Sequence, residues 1–443
     1  MKTVLSKLIA AGKTFLQRLV ITLQLYGENG LANHAAACAY GFLLSITPML
    51  LLIAIFIFAV FRPSPEGIAA FIGNIPFLGS LFDEQLLSSD FFSFSTPGIS
   101  SIIFVLSIIW AGRILALSMQ RGLKIIFPAD KNRNPVKNTL VTLSIEISVI
   151  ILILMSIISS RTALRLYRLF DFSPEFSVLQ IIMSYTGSQI SSIFLLGAAS
   201  FLAYLFVPVN SPRKLSALKG SFFCVLLYFC TALIMGILLD ISRYNFLYGT
   251  LGNLIVLLIN VYFFFLFFFL GAQFAFVIDS FDMLLFIKLR QSRNKVKEKN
   301  ETAGSARQWH TDLFYKFFYP AKDNLRKYLR HYKKDEIIFS QGDSGNDVYY
   351  LIEGEVEILI SSSDGTVSSV DVLKADSFFG EMGSLLSEDR TATVRAKARV
   401  TAIALPLSLF DTVLKYDTSL DRVLLQNMSR RLKDKNEAIT FTF

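Results

Sequence analysis

Phe378-Phe379-Gly380-Glu381-Met382-Gly383-Ser384-Leu385-Leu386-Ser387-Glu388-Asp389-Arg390-Thr391-Ala392-Thr393-Val394 is the stretch that decides how the C-terminal third is read. A short helix opening at Gly380 aims free backbone N–H groups at an anion. Gly380 allows close backbone approach. Arg390 supplies a planar fork for two anionic oxygens. Glu381 can accept a hydrogen bond from a ligand hydroxyl. Thr391 and the N–H of Ala392 complete the cradle, and Phe379 and Met382 complete the candidate set.

Around this stretch the pattern is one of short β-runs. They are expected at Glu336–Ser340, Val348–Ile352, Val356–Ile360, Val367–Leu373, Thr393–Ala396 and Val400–Leu405. Turn signals at Gly342-Asp343, Gly354, Asp364-Gly365 and Asp376 separate them. Regularly spaced short strands indicate a soluble β-jelly-roll of α+β type. Two short amphipathic helices broken at Pro320 are expected over Trp309–Tyr332. Two closing helices are expected at Leu407–Leu414 and Ser419–Ala438.

The cassette resembles the phosphate-binding cassette of cyclic-nucleotide-binding domains, as found in the catabolite activator protein, protein kinase A regulatory subunits and gated channels. The upstream stretches Ile337-Ile338-Phe339-Ser340-Gln341-Gly342-Asp343 and Tyr350-Leu351-Ile352-Glu353-Gly354-Glu355-Val356 match the same family. The resemblance implies a regulatory ligand, cAMP or cGMP. Arg390 and the helix would meet its phosphate, and Glu381 its ribose hydroxyl. One departure is Asp335, where the family usually has Gly.

Composition divides the chain. Of its 443 residues 53% are hydrophobic and only 17% are charged, with a mean hydropathy of +0.52. Soluble domains carry about 25% charged residues. Up to about residue 287 long Leu/Ile/Phe runs dominate, and beyond it charges become frequent. A bilayer core takes about 20 apolar residues as a helix. Six segments qualify: Ala35–Phe61, Gly98–Leu117, Thr139–Ile158, Ile190–Val207, Ala217–Leu239 and Gly249–Ile278. The fold class is therefore an α-helical polytopic membrane domain of six transmembrane helices plus the soluble roll. Residues 1–30 form an amphipathic N-terminal helix, 31–287 the membrane domain, 288–308 a helical extension and linker, and 309–443 the nucleotide domain.

Basic loops set the orientation. Arg113, Arg121, Lys124, Lys131, Arg133 and Lys137 follow the second segment, Arg213, Lys214 and Lys219 separate the fourth from the fifth, and Lys288, Arg290, Arg293, Lys295 and Lys297 follow the sixth. The positive-inside rule places these loops, and both termini, in the cytoplasm. Arg161, Arg165 and Arg168 dissent. Lys13 and Arg18 interrupt what would be the core of a signal peptide. The basic helix they belong to suits a membrane surface or packing on the bundle.

Residues 20–285 resemble the YihY/BrkB-like membrane proteins, some of which carry the label ribonuclease BN. Three stretches carry the match. The first is Ala39-Tyr40-Gly41-Phe42-Leu43-Leu44-Ser45-Ile46-Thr47-Pro48-Met49-Leu50. The second is Tyr204-Leu205-Phe206-Val207-Pro208 with the following basic residues and Gly220. The third is Tyr248-Gly249-Thr250-Leu251, continuing to Leu270-Gly271-Ala272-Gln273. The resemblance implies a six-helix, multi-pass inner-membrane protein of transporter type. Gln273 stands where the family commonly has an acid.

Polar residues within the spans form a second candidate set: Arg113, Glu146, Asn260 and Gln273. An ionisable group at membrane depth suggests a pathway or a partner. Arg113 is placed to pair with Glu146, and Asn260 suits an interhelical hydrogen bond. Cys38, Cys224 and Cys230 read as small buried hydrophobes, and the three His have no metal-type spacing.

The expected function is that of a cyclic-nucleotide-regulated transporter or related membrane protein, not an enzyme, with no metal and no cofactor. Its partners are the lipid bilayer and the nucleotide, with room for a homo-oligomer. Alternatives are a membrane-anchored sensor or scaffold without transport, and a cyclic-nucleotide-gated channel. No span carries the regular arginines of a voltage sensor, and Asp240–Tyr248 is too short for a pore helix and filter. No Asp/Glu/His cluster suits a metal-assisted ribonuclease. Nucleic-acid binding has no basic run interleaved with aromatics to support it.

Overall fold

The computed structural model describes residues 2–61, 99–129, 133–149, 151, 155, 193–238, 250–302, 325–361, 366–386, 388–417, 420, 424–426 and 429. The chain divides into two compact units, Met1–Asp279 and Ser280–Phe443.

The first unit is helical: α1 Lys2–Glu28, α2 Leu31–Phe61, α3 Ile99–Ile126, α4 135–149, α5 Ile193–Phe206, α6 Lys214–Leu238 and α7 Thr250–Asp279. Each of the six apolar segments is thus wholly or partly helical. In an apolar surround only a helix satisfies every backbone polar group within one segment. Lys214–Ile234 and Ile255–Asp279 are long and apolar enough to cross a bilayer.

Close packing in this unit depends on small residues. A Cβ on Gly220 would lie 2.5 Å from the Gly271 carbonyl oxygen, and one on Gly271 would lie 2.6 Å from that of Gly220. The backbones of α6 and α7 therefore touch at reciprocal glycines, the close helix contact that small residues permit in lipid. Buried Tyr204 on α5 donates to the Phe268 carbonyl oxygen of α7 at 2.6 Å. The Tyr204, Gly220 and Gly271 of the family-like stretches are thus packing residues. Helix α1 lies against α7: Phe15 meets Phe274 edge-on at 6.0 Å, and Gln17, Ile21 and Thr22 are buried. Phe15, Leu16 and Leu23 stay exposed, so α1 keeps an apolar outer face. Cys38 and Cys224 are buried, but Cys230 is exposed on α6, contrary to expectation, because it falls on the outward face of that helix.

The second unit begins with α8, Phe281–Thr302. Two four-stranded antiparallel sheets follow, built from β1 Leu329–Tyr332, β2 Ile337–Phe339, β3 Asp347–Glu353, β4 Glu355–Ser361, β5 Val367–Lys374, β6 Phe378–Phe379, β7 Thr393–Ala396 and β8 Val400–Pro406. Their orders are β1-β8-β3-β6 and β2-β7-β4-β5. Leu351, Val356, Phe379, Val394, Ala396, Val400 and Ala402 form the core. Helix α9, Glu381–Leu386, sits in the cassette, and α10, Leu407–Tyr416, follows β8.

One expectation changes. Leu329–Tyr332, expected to be helical, is a strand, because it pairs residue for residue with Val400–Ile403; tertiary pairing overrides its helical pattern. The Pro320 break lies outside the described residues, as does most of Ser419–Ala438. The segment 288–308, expected to be a helical extension and linker, is helical up to Thr302 as the end of α8, and this helix docks on the roll. Phe286 packs edge-on against Tyr350 at 5.4 Å. Arg290 Nη1 bonds Asp417 Oδ2 at 2.6 Å with both side chains nearly inaccessible. Arg293 Nε bonds Asp376 Oδ1 at 2.8 Å, and its Nη2 donates to the Ile352 carbonyl oxygen.

Candidate functional site

The cassette folds over the sheet β2-β7-β4-β5 and leaves a cavity of about 530 Å³. Gly380, Glu381, Met382, Arg390, Thr391 and Ala392 line it. Six of the seven expected positions are therefore brought together. Phe379 is the exception. It is buried in the core and stacks on Tyr349 at 5.1 Å, almost parallel. Strand alternation explains this: Phe379 is the last residue of β6, and its ring points into the roll.

Gly380 joins β6 to α9 at φ +76°, in the left-handed region that favours glycine. A Cβ there would lie 2.9 Å from Arg390 Nη1. The close approach expected for a ligand is thus also an approach to the arginine. Glu381, in the first turn of α9, is 2% exposed.

Arg390 is 4% exposed. Its Nη1 donates to the Gly380 carbonyl oxygen at 2.7 Å and its Nη2 to that of Asp347 at 2.8 Å. The guanidinium lies over the Phe339 ring, 4.4 Å from its centroid. Among the described residues it makes no ion pair. A buried arginine held by neutral carbonyls and an aromatic face keeps its charge uncompensated, which suits it to a ligand anion. The backbone fixes it too: Arg390 N donates to Asp343 O, and Gly342 N donates to Arg390 O.

The sequence reading missed the apolar floor and wall of the cavity: Phe339, Ile358, Ile360, Val370 and Val394, with Asp371 and Gly383 beside them. Ile358 and Ile360 share one face of β4 by the two-residue period, which is the signal that could have found them. This wall suits a flat base, while the cassette supplies the polar end. Asp335, distant from the cavity, has φ +64°, and this explains why glycine suits that position.

The second candidate set does not converge. Glu146 is buried on α4 and Arg113 acts on it electrostatically, yet the two make no hydrogen bond. Glu146 Oε1 and Arg113 Nε have no hydrogen-bond partner among the described residues. Asn260 was expected to bridge helices, but its Nδ2 donates to Val256 O at 2.9 Å, one turn back on its own helix. Gln273 is fully buried on α7 and accepts from Asn29 Nδ2 at 3.4 Å.

Comparison with known proteins separates the two units in the same way. The family model described as cyclic nucleotide-binding domain matches residues 329–417. An uncharacterized ABC transporter ATP-binding protein of Mycobacterium tuberculosis is 36% identical over 80 residues, covering 18% of this chain and 24% of that protein. The cAMP-activated global transcriptional regulator CRP of Salmonella typhimurium is 25% identical over 113 residues, covering 25% of this chain and 54% of that one. The Thermus thermophilus catabolite activator protein is a solved structure with 25% identity and a TM-score of 0.24, covering 28% of this chain and 59% of that one. The chain thus spans about a quarter of the mycobacterial relative and about half of the regulator. The family model described as virulence factor BrkB matches residues 22–285, more than half of the chain. The chain therefore belongs to the virulence factor BrkB family, with a cyclic nucleotide-binding domain fused behind the family's membrane region.

Proposed function

We propose that the chain is a six-span inner-membrane protein of transporter type whose activity is set by cAMP, or by cGMP, at a cytoplasmic C-terminal domain. The observation that carries this reading is the cavity at Gly380, Glu381, Arg390, Thr391 and Ala392, where a buried arginine makes no ion pair among the described residues. Its charge matches the single charge of a cyclic phosphate. Its apolar wall at Ile358, Ile360 and Val394 matches a base. The nucleotide binds and is not transformed, and both termini lie in the cytoplasm, where cyclic nucleotides are made.

Regulation needs two states that the ligand binds unequally. A route exists within the second unit. Helix α8 follows Ser280 directly in the chain and is clamped to the roll by Arg290–Asp417 and Arg293–Asp376. Asp376 lies in the turn that precedes β6 and hence the cassette, so a shift of the cassette reaches α8 through one ion pair. Hydrogen–deuterium exchange on the full chain in nanodiscs tests this. cAMP should slow exchange in 378–394 and change it in 281–302. An unchanged 281–302 beside a protected cassette would remove the regulatory route while keeping the binding site.

A further inference from the structure

A second cavity, about 430 Å³, lies in the helical unit where the end of α3, the start of α4 and the segment after α5 meet. Gln120, Arg121, Lys124, Arg133 and Asn138 line it, with Phe127 at its wall. We infer that it is a binding site for the phosphate-bearing headgroup of an anionic phospholipid.

Three cations converge on one concave space, and no carboxylate is among its described lining residues. The site is also built. Arg133 Nη1 and Nη2 donate to the carbonyl oxygens of Val207 and Pro208 at 3.3 and 3.1 Å, which fixes the guanidinium at the exit of α5. Gln120 Nε2 donates to Thr142 Oγ1 at 3.0 Å, and Thr142 in turn donates to Asn138 O. Held in this way, Arg133 and Gln120 are placed at the cavity without needing the ligand to order them.

The surroundings select a lipid over a soluble phosphate. Neighbouring side chains are apolar and outward-facing: Val136 is 72% exposed, Phe206 67%, Leu140 58% and Val209 50%. A soluble anion gains nothing from such a rim, whereas acyl chains cover it. Basic pockets between membrane helices take phosphate-bearing headgroups on the same electrostatic grounds. The volume is in the range of a small-molecule site.

The test is native mass spectrometry of the full-length protein in non-ionic detergent. The added probes are phosphatidylglycerol, phosphatidylcholine or inorganic phosphate. Phosphatidylglycerol should stay bound at collision energies that strip phosphatidylcholine, and millimolar phosphate should not displace it. The double variant Arg121→Gln/Lys124→Gln should weaken phosphatidylglycerol retention by about thirtyfold, from two lost charges near an anionic headgroup. It should still elute as a monodisperse species in detergent with an unchanged melting temperature, which shows that the helical unit is folded. Equal retention of the two lipids by the unmodified protein would overturn the inference without recourse to any variant. So would unchanged retention by the double variant, or displacement by inorganic phosphate, which would mark a soluble phosphoanion site.

Discussion

Arg390 Nη1 donates to the Gly380 carbonyl oxygen at 2.7 Å, so the two ends of the cassette are tied through the group that is to meet the ligand's charge. The same guanidinium reaches the Asp347 carbonyl oxygen on β3 and stacks on Phe339 of β2. These two bonds engage two of the guanidinium's five N–H donors and leave three for an incoming phosphate, so the arginine can hold the cassette against β3 and meet the ligand together.

Arg390→Ala should leave a bound phosphate unpaired in a buried site, at a cost of ~3–5 kcal/mol. That corresponds to a loss of affinity of roughly a hundred- to several-thousand-fold. Arg390→Lys should recover only part of it, because an ammonium replaces the fork with a point charge. Competition with a fluorescent cyclic nucleotide reads both.

Gly380→Ala places a methyl group 2.9 Å from Arg390 Nη1 on a backbone with φ +76°. The left-handed conformation alone costs a non-glycine residue about 1–2 kcal/mol. The variant should melt at a lower temperature and bind nucleotide more weakly, with the affinity loss exceeding what Thr391→Ala produces. Differential scanning fluorimetry and the same competition assay separate the two effects.

The Arg290–Asp417 pair is buried on both sides, with side-chain exposures of 5% and 3%. Removing one partner, as in Asp417→Leu, should destabilise the second unit by ~3–5 kcal/mol, because the other charge stays buried and unpaired. The double variant Arg290→Met/Asp417→Leu should regain most of that loss. A fragment starting at Ser280 should be more stable to urea than one starting at Ser305, which lacks α8 and with it Phe286, Arg290 and Arg293. Equal midpoints for the two fragments would show that α8 does not belong to this unit.

Gly271→Leu should separate α6 from α7. A Cβ at that position already lies 2.6 Å from the Gly220 carbonyl oxygen and 2.8 Å from the Tyr204 hydroxyl. Overpacking of this kind costs about 1–3 kcal/mol, and more where backbone has to move. Loss of monodispersity in detergent should accompany a normal nucleotide affinity.

Much of this was legible in the residues themselves. Six of eight strands follow from two-residue alternation bounded by Gly342, Gly354 and Asp376, all of which take positive φ. The cassette residues other than Phe379 reach the cavity because the glycine, the acid and the arginine have few alternative uses at that spacing. The rest escaped for physical reasons. Leu329–Tyr332 is a strand only because β8 lies beside it. Phe378–Phe379 is too short for a period to show. Residues 288–302 carry the charge of a linker, yet Arg290 and Arg293 find carboxylates on Asp417 and Asp376, 127 and 83 residues away in the chain. Asn260 bonds its own helix, a choice that sequence spacing does not distinguish from a bond to a neighbouring helix.

Calorimetric titration of cAMP and cGMP into the full-length protein and its Arg390→Ala variant tests the central claim most directly. One nucleotide should bind per chain in the unmodified protein, with heat abolished or shifted at least a hundredfold in the variant. Absence of binding at millimolar nucleotide, or identical isotherms for the two proteins, would contradict it.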